Sequence, residues 1–217
     1  LLGTFCYTNQ AVFPIYFVVR ISHPAEEINY WKLQPEMTGI EAAWSGDSGE
    51  YKLYKNYARE IMGDDIGAIF KLGNLEPNTE VVVKVGISYV SMENARRNLD
   101  AEVGTRDFDS VREAAKAKWN EALGRIRVEG GTEDDRTIFY TALYHSLLHP
   151  NIVSDVNGEY PAMESGATGV AAGYDRYTVF SLWDTYRNVH QLLTLVYPEV
   201  QTDMLRSMVA MSQEWGW

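Results

Sequence analysis

The sequence predicts a multidomain protein of mixed β and α structure, in which a strand-rich part precedes a helical part. Residues 13–90 contain short runs rich in Val, Ile, Tyr and Phe, separated by turn residues. This pattern is typical of two sheets packed face to face. After Ser91 the apolar residues recur at helical spacing instead. The change of period predicts a boundary near residue 90.

Composition limits the classes of protein to consider. The 217 residues are 46% hydrophobic, which is typical of a globular chain with a substantial core, and no apolar run is long enough to span a bilayer. Thirty acidic against 19 basic residues give a net charge of −11, which argues against nonspecific nucleic-acid binding. Cys6 is the only cysteine, so an internal disulfide and a multi-cysteine metal site are excluded, and its aromatic neighbours favour a small buried side chain.

Both ends of the sequence suggest an internal piece of a longer protein. The first residues lack an initiating methionine and the features of a signal peptide. The last predicted helix, residues 198–211, has no partner helix after it. We therefore expect further chain on both sides.

The strand-rich part contains four predicted strands and two tryptophans of interest. The strands are residues 13–21, 38–44, 66–72 and 80–90. The last of them has apolar residues on both faces, which predicts a core strand. Trp31 and Trp44 could stack on sugars if exposed, as in a carbohydrate-binding module, but packing explains a lone tryptophan as well.

The helical part has clear helix start signals. Residues 91–101 and 107–123 are predicted helices, the second capped by Asp107 or Asp109. Thr132 and Asp135 form a capping-box pattern that opens the next helix.

Several residues after that helix start have a functional and a structural interpretation. His145 and His149 have the i, i+4 spacing of metal ligands, but no third ligand is evident, so pairing or helix capping is favoured. Asn157-Gly158 predicts a type I′ turn. Asp155 and Asp175 are candidate carboxylates at the rim of a site, although turn capping explains both.

The stretch Phe180-Ser181-Leu182-Trp183-Asp184-Thr185-Tyr186-Arg187 is the strongest candidate site. It follows the strand-like residues 174–180 and precedes a helical pattern, so it is a predicted strand-to-helix junction. Trp183 offers a flat face to a sugar ring, and Asp184 and Arg187 can form charge-assisted hydrogen bonds with hydroxyls. A capping box between Ser181 and Asp184, or an Asp184–Arg187 surface pair, is the structural alternative.

Four phrases carry a resemblance to a known family. In order they are SYVSMENARRNLDAE, FDSVREAAKAKWNEALGRIRVEG, IFYTALYHSLLHPNIVSDVNGEY and YTVFSLWDTYRNVHQLLTLVYPE. Together they resemble glycoside hydrolase family 92, from about residue 87 to residue 217. The family consists of calcium-dependent, exo-acting α-mannosidases with an N-terminal β-sandwich and a C-terminal (α/α)6 barrel.

The resemblance implies a domain plan and an activity. Residues 1–90 would be the C-terminal part of the β-sandwich, residues 91–131 a helical linker, and residues 132–217 the start of the barrel, with about three of its twelve helices. The whole enzyme would hydrolyse terminal α-mannosides of glycans, N-glycans in particular, with inversion. It would act in the periplasm, at the cell surface or as a secreted protein. Another (α/α)6 glycoside hydrolase, or a noncatalytic sugar-binding module that relies on Trp31 or Trp44, is the alternative.

The resemblance assigns sugar contact but no catalysis to this sequence. In the family the catalytic acid, the catalytic base and the calcium ligands lie beyond the tryptophan-aspartate phrase, so no catalytic and no metal residue is carried over. Trp183 would be the platform for the mannose ring, Asp184 an acceptor of hydroxyl hydrogen bonds, and Arg187 an orienting partner. We expect these 217 residues alone to have no mannosidase activity.

Overall fold

The computed structural model describes residues 14–33, 51–55, 66–163 and 166–216. The strands are β1 (Tyr16–Ile21), β2 (Glu27–Leu33), β3 (Tyr51–Lys55), β4 (Ile66–Lys71), β5 (Val83–Ser88), β6 (Asn151–Ile152), β7 (Glu159–Pro161), β8 (Thr168–Val170) and β9 (Tyr177–Thr178). The helices are α1 (Met92–Glu102), α2 (Phe108–Leu123), α3 (Glu133–Ser146), α4 (Leu182–Thr185), α5 (Val189–Val196) and α6 (Pro198–Trp215). The order confirms the predicted combination of a strand-rich part followed by helices. None of the described helices is long and apolar enough to cross a membrane.

The contacts divide the chain into two compact units. One comprises Ile21–Val83, and the other comprises the residues before and after it. The three-part division at residues 90 and 131 stays a prediction.

The smaller unit contains an antiparallel sheet in the order β3-β2-β4. Its central strand, β2, was not predicted, nor was β3. The predicted strand 38–44 and Trp44 lie outside the described residues. In the ladder Trp31 stands opposite Leu53 on one side and Gly67 on the other.

In the larger unit β5 pairs with β1 and packs on α1. The approach of strand and helix is close, since a Cβ at Gly86 would lie 2.3 Å from the backbone oxygen of Ala95 and 2.6 Å from the Leu99 Cβ. Only a glycine fits this contact. On the other face Val85 and Ile87 are half exposed, so the prediction of a strand buried on both faces is wrong for the residues that the structure describes.

The helix starts agree with the sequence signals. The Asp107 side chain accepts a hydrogen bond from the Ser110 N–H, so Asp107 rather than Asp109 caps α2. Thr132 and Asp135 form the predicted capping box at the start of α3. Each side chain there accepts a hydrogen bond from the other's backbone N–H, which stabilises the first turn.

The turn at Asn157-Gly158 lies where it was predicted, but its type differs. The Gly158 N–H donates to the Asp155 carbonyl at 2.8 Å, and the Asp155 N–H donates to the Glu159 carbonyl at 2.8 Å. Among these turn residues only Gly158 has a positive φ, of 84°. A type I′ turn needs positive φ at Asn157 as well, so the prediction was wrong. The observed bonds are those of a three-residue loop with the glycine in the left-handed position.

The main core of the larger unit is built by α3, α5, α6 and β9. Its buried members are Leu143, Tyr177, Leu193, Tyr197 and Met204. Phe180 and Val189 pack against this cluster. These two residues flank the predicted site, so the core fixes the chain on both sides of it.

Candidate functional site

The tryptophan-aspartate stretch forms a turn between β9 and α5. Strand β9 ends at Thr178 and the single-turn helix α4 begins at Leu182, so the predicted junction is present but the strand is shorter than residues 174–180. The helical segment that follows the strand is interrupted, because α4 ends at Thr185 and α5 begins only at Val189. We call residues 181–188 the site turn.

The backbone that leads into the site turn is in an unusual conformation. Val179 has φ 63°, in the left-handed region that a β-branched residue rarely adopts. Such a residue costs on the order of 1–3 kcal/mol and is common at functional sites. The sequence gives no sign of it.

All three predicted sugar-contact residues face solvent. Trp183 is 87% exposed, the largest exposed fraction among the large hydrophobic residues that the structure describes. Asp184 and Arg187 are also exposed. One Asp184 carboxylate oxygen accepts a hydrogen bond from the Ser181 hydroxyl, and the Arg187 Nε donates to the Tyr186 hydroxyl at 3.2 Å. The indole face, one carboxylate oxygen and the outer guanidinium N–H groups are therefore open to a ligand.

Neither structural alternative for these residues is formed. Ser181 makes no capping bond from its side chain to the helix backbone, so the Ser181–Asp184 capping box is absent. The Asp184 carboxylate and the Arg187 guanidinium do not form an ion pair, since each has a different neighbour as its hydrogen-bond partner. Capping and pairing thus do not account for either charged residue.

A buried guanidinium directly precedes β9 in the chain. Arg176 is 1% exposed, and its Nη2 donates to both carboxylate oxygens of Glu214 at 3.0 and 3.2 Å. Its Nη1 donates to the Ser207 carbonyl, and the guanidinium lies 4.5 Å from the centre of the Tyr160 ring. Burial, followed by the hydrogen bond to Glu214, raises the pKa of the Tyr160 phenol. Because its polar groups are paired with one another and mostly buried, we interpret this cluster as structural.

Asp155 is not a rim carboxylate, which corrects one of the two interpretations made from sequence. It is 7% exposed and accepts hydrogen bonds from Ser88 at 2.7 Å, Asn94 at 2.8 Å and Asn98 at 2.6 Å. These donors lie on β5 and α1, so Asp155 fastens the following turn to the first helix. Asp175, by contrast, is exposed, and its backbone N–H donates to Asp203 at 3.2 Å.

The histidine pair does not form a metal site. Helix α3 ends at Ser146, so His149 lies beyond it, and both imidazoles are exposed. The described ranges contain no group of three or more His, Cys, Asp or Glu side chains that could hold a metal ion.

The Trp31 side chain packs against a neighbouring strand of its own sheet. A Cβ at Gly67 would lie only 2.3–2.4 Å from three atoms of the Trp31 indole, so the ring covers the glycine on the neighbouring strand. Trp31 is also partly buried. This contact favours the packing interpretation over a sugar-binding one.

His190 is a residue that the sequence analysis missed. Its imidazole contacts Thr185 of α4 and Gln201 of α6. No motif marks it, because its partners are five residues before it and eleven residues after it.

The sequence profile of the glycosyl hydrolase family 92 catalytic domain matches residues 94–217. Since the match covers more than half of the chain and includes the site turn, the chain belongs to glycoside hydrolase family 92.

Solved structures of the family are similar to this fold. A family GH92 inverting mannosidase from Bacteroides thetaiotaomicron VPI-5482 matches with 28% identity and a TM-score of 0.76, over 94% of this chain and 25% of that one. A family GH92 α-mannosidase from Bacteroides thetaiotaomicron matches with 30% identity and a TM-score of 0.72, over 92% and 25%. An uncharacterized secreted glycosidase from Arthroderma benhamiae is 31% identical over 114 residues, which is 51% of this chain and 14% of that protein. The chain thus spans about a quarter of the length of the solved relatives.

Proposed function

We propose that the chain is part of an exo-acting, inverting α-mannosidase that hydrolyses terminal α-mannosides of glycans, N-glycans in particular. The observation that carries the proposal is the site turn, which presents an 87% exposed indole next to an exposed carboxylate. An aromatic face and a charged acceptor are the groups that bind the apolar and the hydroxyl faces of a sugar. The similarity to mannosidases supports mannose as that sugar.

In this proposal the chain binds and orients the sugar, and other residues break the bond. Trp183 stacks on the ring of the terminal mannose, Asp184 accepts hydrogen bonds from its hydroxyls, and Arg187 donates to a hydroxyl or holds the sugar in register. Hydrolysis with inversion also requires an acid that protonates the leaving oxygen and a base that activates water on the opposite face. We assign neither to the described residues. The binding energy from the site turn orients the ring for that attack.

We further propose that the strand-rich part belongs to a β-sandwich and that residues 132–217 begin an (α/α)6 barrel. The segment 91–131 would link them. Calcium would be held by residues of the full-length enzyme outside the described ranges, and chelation would then abolish turnover. The enzyme would act outside the cytoplasm, as the secreted relative suggests.

The test uses the full-length protein and the release of nitrophenol from aryl glycosides. We expect turnover of the α-mannoside, little turnover of the α-glucoside, and β-mannose as the first product in proton NMR spectra. Asp184→Asn should lower kcat/KM by about 10- to 150-fold, because a hydrogen bond to a charged group contributes about 1.5–3 kcal/mol.

Asp134→Asn is the matched control. Asp134, like Asp184, is an acidic residue in the first turn of a helix, so the two substitutions remove the same interaction with the helix dipole. The control should keep its activity. Full activity of Asp184→Asn, or an absence of α-mannoside turnover by the wild-type protein, would contradict the proposal.

A further inference from the structure

The site turn has little apolar anchoring of its own. Leu182 and Tyr186 are 49% and 56% exposed, and Trp183 is almost fully exposed. Helix α4 has only four residues and no side-chain cap, so it is too short to be stable by itself. Core packing reaches the chain at Phe180 and again at Val189, but the residues between them need another support.

That support is a polar bridge through His190. The His190 Nε2 lies 2.9 Å from the Thr185 hydroxyl oxygen on α4, and its Nδ1 lies 3.1 Å from the Gln201 amide oxygen on α6. Gln201 is 7% exposed and so is held firmly by its surroundings. The Thr185 hydroxyl also lies within 3.2 Å of the Ser181 carbonyl, at the start of the site turn. An unbroken chain of contacts thus links the rigid helix α6 to the turn that carries Trp183.

We propose that His190 is a positioning residue that fixes the orientation of Trp183 and Asp184 for sugar binding. The proposal rests on the proposed function of the site turn. His190 itself touches no substrate in this scheme. It acts through Thr185, the residue directly after Asp184, so a loss of the bridge would let α4 rotate and would misplace both sugar contacts.

The direction of the bonds defines the form of the imidazole that the bridge needs. The Gln201 amide oxygen can only accept, so the proton is on Nδ1. In the neutral ring Nε2 is then an acceptor, and the single hydrogen of the Thr185 hydroxyl is shared between Nε2 and the Ser181 carbonyl oxygen. Asparagine at position 190 keeps a donor near the place of Nδ1, whereas glutamine keeps a polar group near the place of Nε2. The two substitutions therefore separate the two halves of the bridge.

The experiment compares four variants of the full-length protein on an aryl α-mannoside. His190→Asn, which loses the bond to Thr185, and Thr185→Val should each lower kcat/KM by about fivefold, the effect of one neutral hydrogen bond, mainly through a higher KM. His190→Gln should lower kcat/KM by only about two- to threefold, because it can still reach Thr185 although it loses the contact with Gln201. The double variant His190→Asn/Thr185→Val should be no worse than either single one, since both remove the same bond.

Thr194→Val is the control for the threonine substitution. The Thr194 hydroxyl donates to the His190 carbonyl at 2.7 Å, so it makes the same i, i−4 backbone bond as Thr185, but no side-chain contact with His190. This variant should keep the wild-type kcat/KM. Equal activity of His190→Asn and wild type, or additive effects in the double variant, would overturn the proposal.

A second readout does not depend on mannosidase activity. The backbone N–H groups of Asp184, Thr185 and Tyr186 are hydrogen-bonded within the site turn, so hydrogen exchange reports its opening. Exchange at these amides should be fastest in His190→Asn and Thr185→Val, slightly faster than wild type in His190→Gln, and unchanged in Thr194→Val. If the wild-type protein cleaves no α-mannoside but the exchange follows this order, only the proposed function fails. If exchange is the same in every variant, the bridge proposal fails.

Discussion

The exposure of Trp183 allows its role to be tested by separating stability from activity. Since 87% of the residue is exposed, Trp183→Ala removes almost no packing, and the free energy of unfolding should change by less than about 0.5 kcal/mol. A tryptophan side chain can bury about 150–250 Å². If one face, about 100 Å², covers a sugar ring, then at about 25 cal/mol per Å² the contact contributes about 2.5 kcal/mol. This corresponds to an approximately 60-fold loss of kcat/KM.

The assay combines urea denaturation with aryl α-mannoside kinetics of the full-length protein. Trp183→Phe keeps a flat ring and should lie between the wild type and alanine in kcat/KM. Trp215→Ala on α6, where the side chain is 60% exposed, is the control for removing an exposed indole and should retain activity. A loss of stability of several kcal/mol in Trp183→Ala, or unchanged kinetics, would refute the assignment of the indole as a sugar platform.

Three further predictions concern the stability of the larger unit. Arg176→Met should destabilise the protein by about 3 kcal/mol in urea denaturation, because it removes a buried guanidinium and leaves the partly buried Glu214 carboxylate without its cation. Arg206→Met should cost less than about 1 kcal/mol, because the Arg206–Asp203 pair is more exposed. Burial raises the pKa of Tyr177 to about 12 from 10.0, so between these pH values the folded state keeps a proton that the unfolded state loses. The free energy of unfolding should therefore fall as pH rises from 10 to 12. In Tyr177→Phe it should depend less on pH across this range. Thr132→Ala removes the cap of α3 and should cost about 1 kcal/mol, with faster hydrogen exchange in its first turn.

A specific outcome would contradict each of these three predictions. Equal destabilisation by Arg176→Met and Arg206→Met would show that burial does not govern the two ion pairs. A pH slope that Tyr177→Phe leaves unchanged would assign the alkaline loss of stability to other groups. Unaltered exchange in Thr132→Ala would show that the capping box does not hold the first turn of α3.

Local signals predicted the starts of α2 and α3 and the junction before α4, because their determinants lie close in sequence. Thr132 and Asp135 are three residues apart, and the aromatic, acid and base of the site turn are adjacent or nearly so. Strand β2 was missed for a similar local reason. Its alternation includes Asn29, which is 1% exposed, so a polar residue occupies a position where an apolar one would have marked a strand.

Long-range contacts account for the errors. Asp155 resembles a turn residue in sequence, yet its burial depends on Ser88 and Asn94, 67 and 61 residues earlier. The interruption between α4 and α5 is equally hidden, since the apolar positions continue at helical spacing. The role proposed for His190 depends on Gln201, which lies on the next helix.

Helix α6 contributes three contacts that connect it to other parts of the larger unit. Near the start of α6, Gln201 contacts His190. In its middle, the Ser207 hydroxyl accepts a hydrogen bond of 2.8 Å from the Tyr177 N–H. Near its end, Glu214 pairs with Arg176. Gln201 and Glu214 are separated by about 20 Å along the axis. Because one continuous helix carries all three contacts, a shift of α6 would change them together. In the proposed scheme the orientation of the exposed indole depends on α6 through Gln201 and His190. The Arg176–Glu214 pair would then affect binding only by changing the position of that helix.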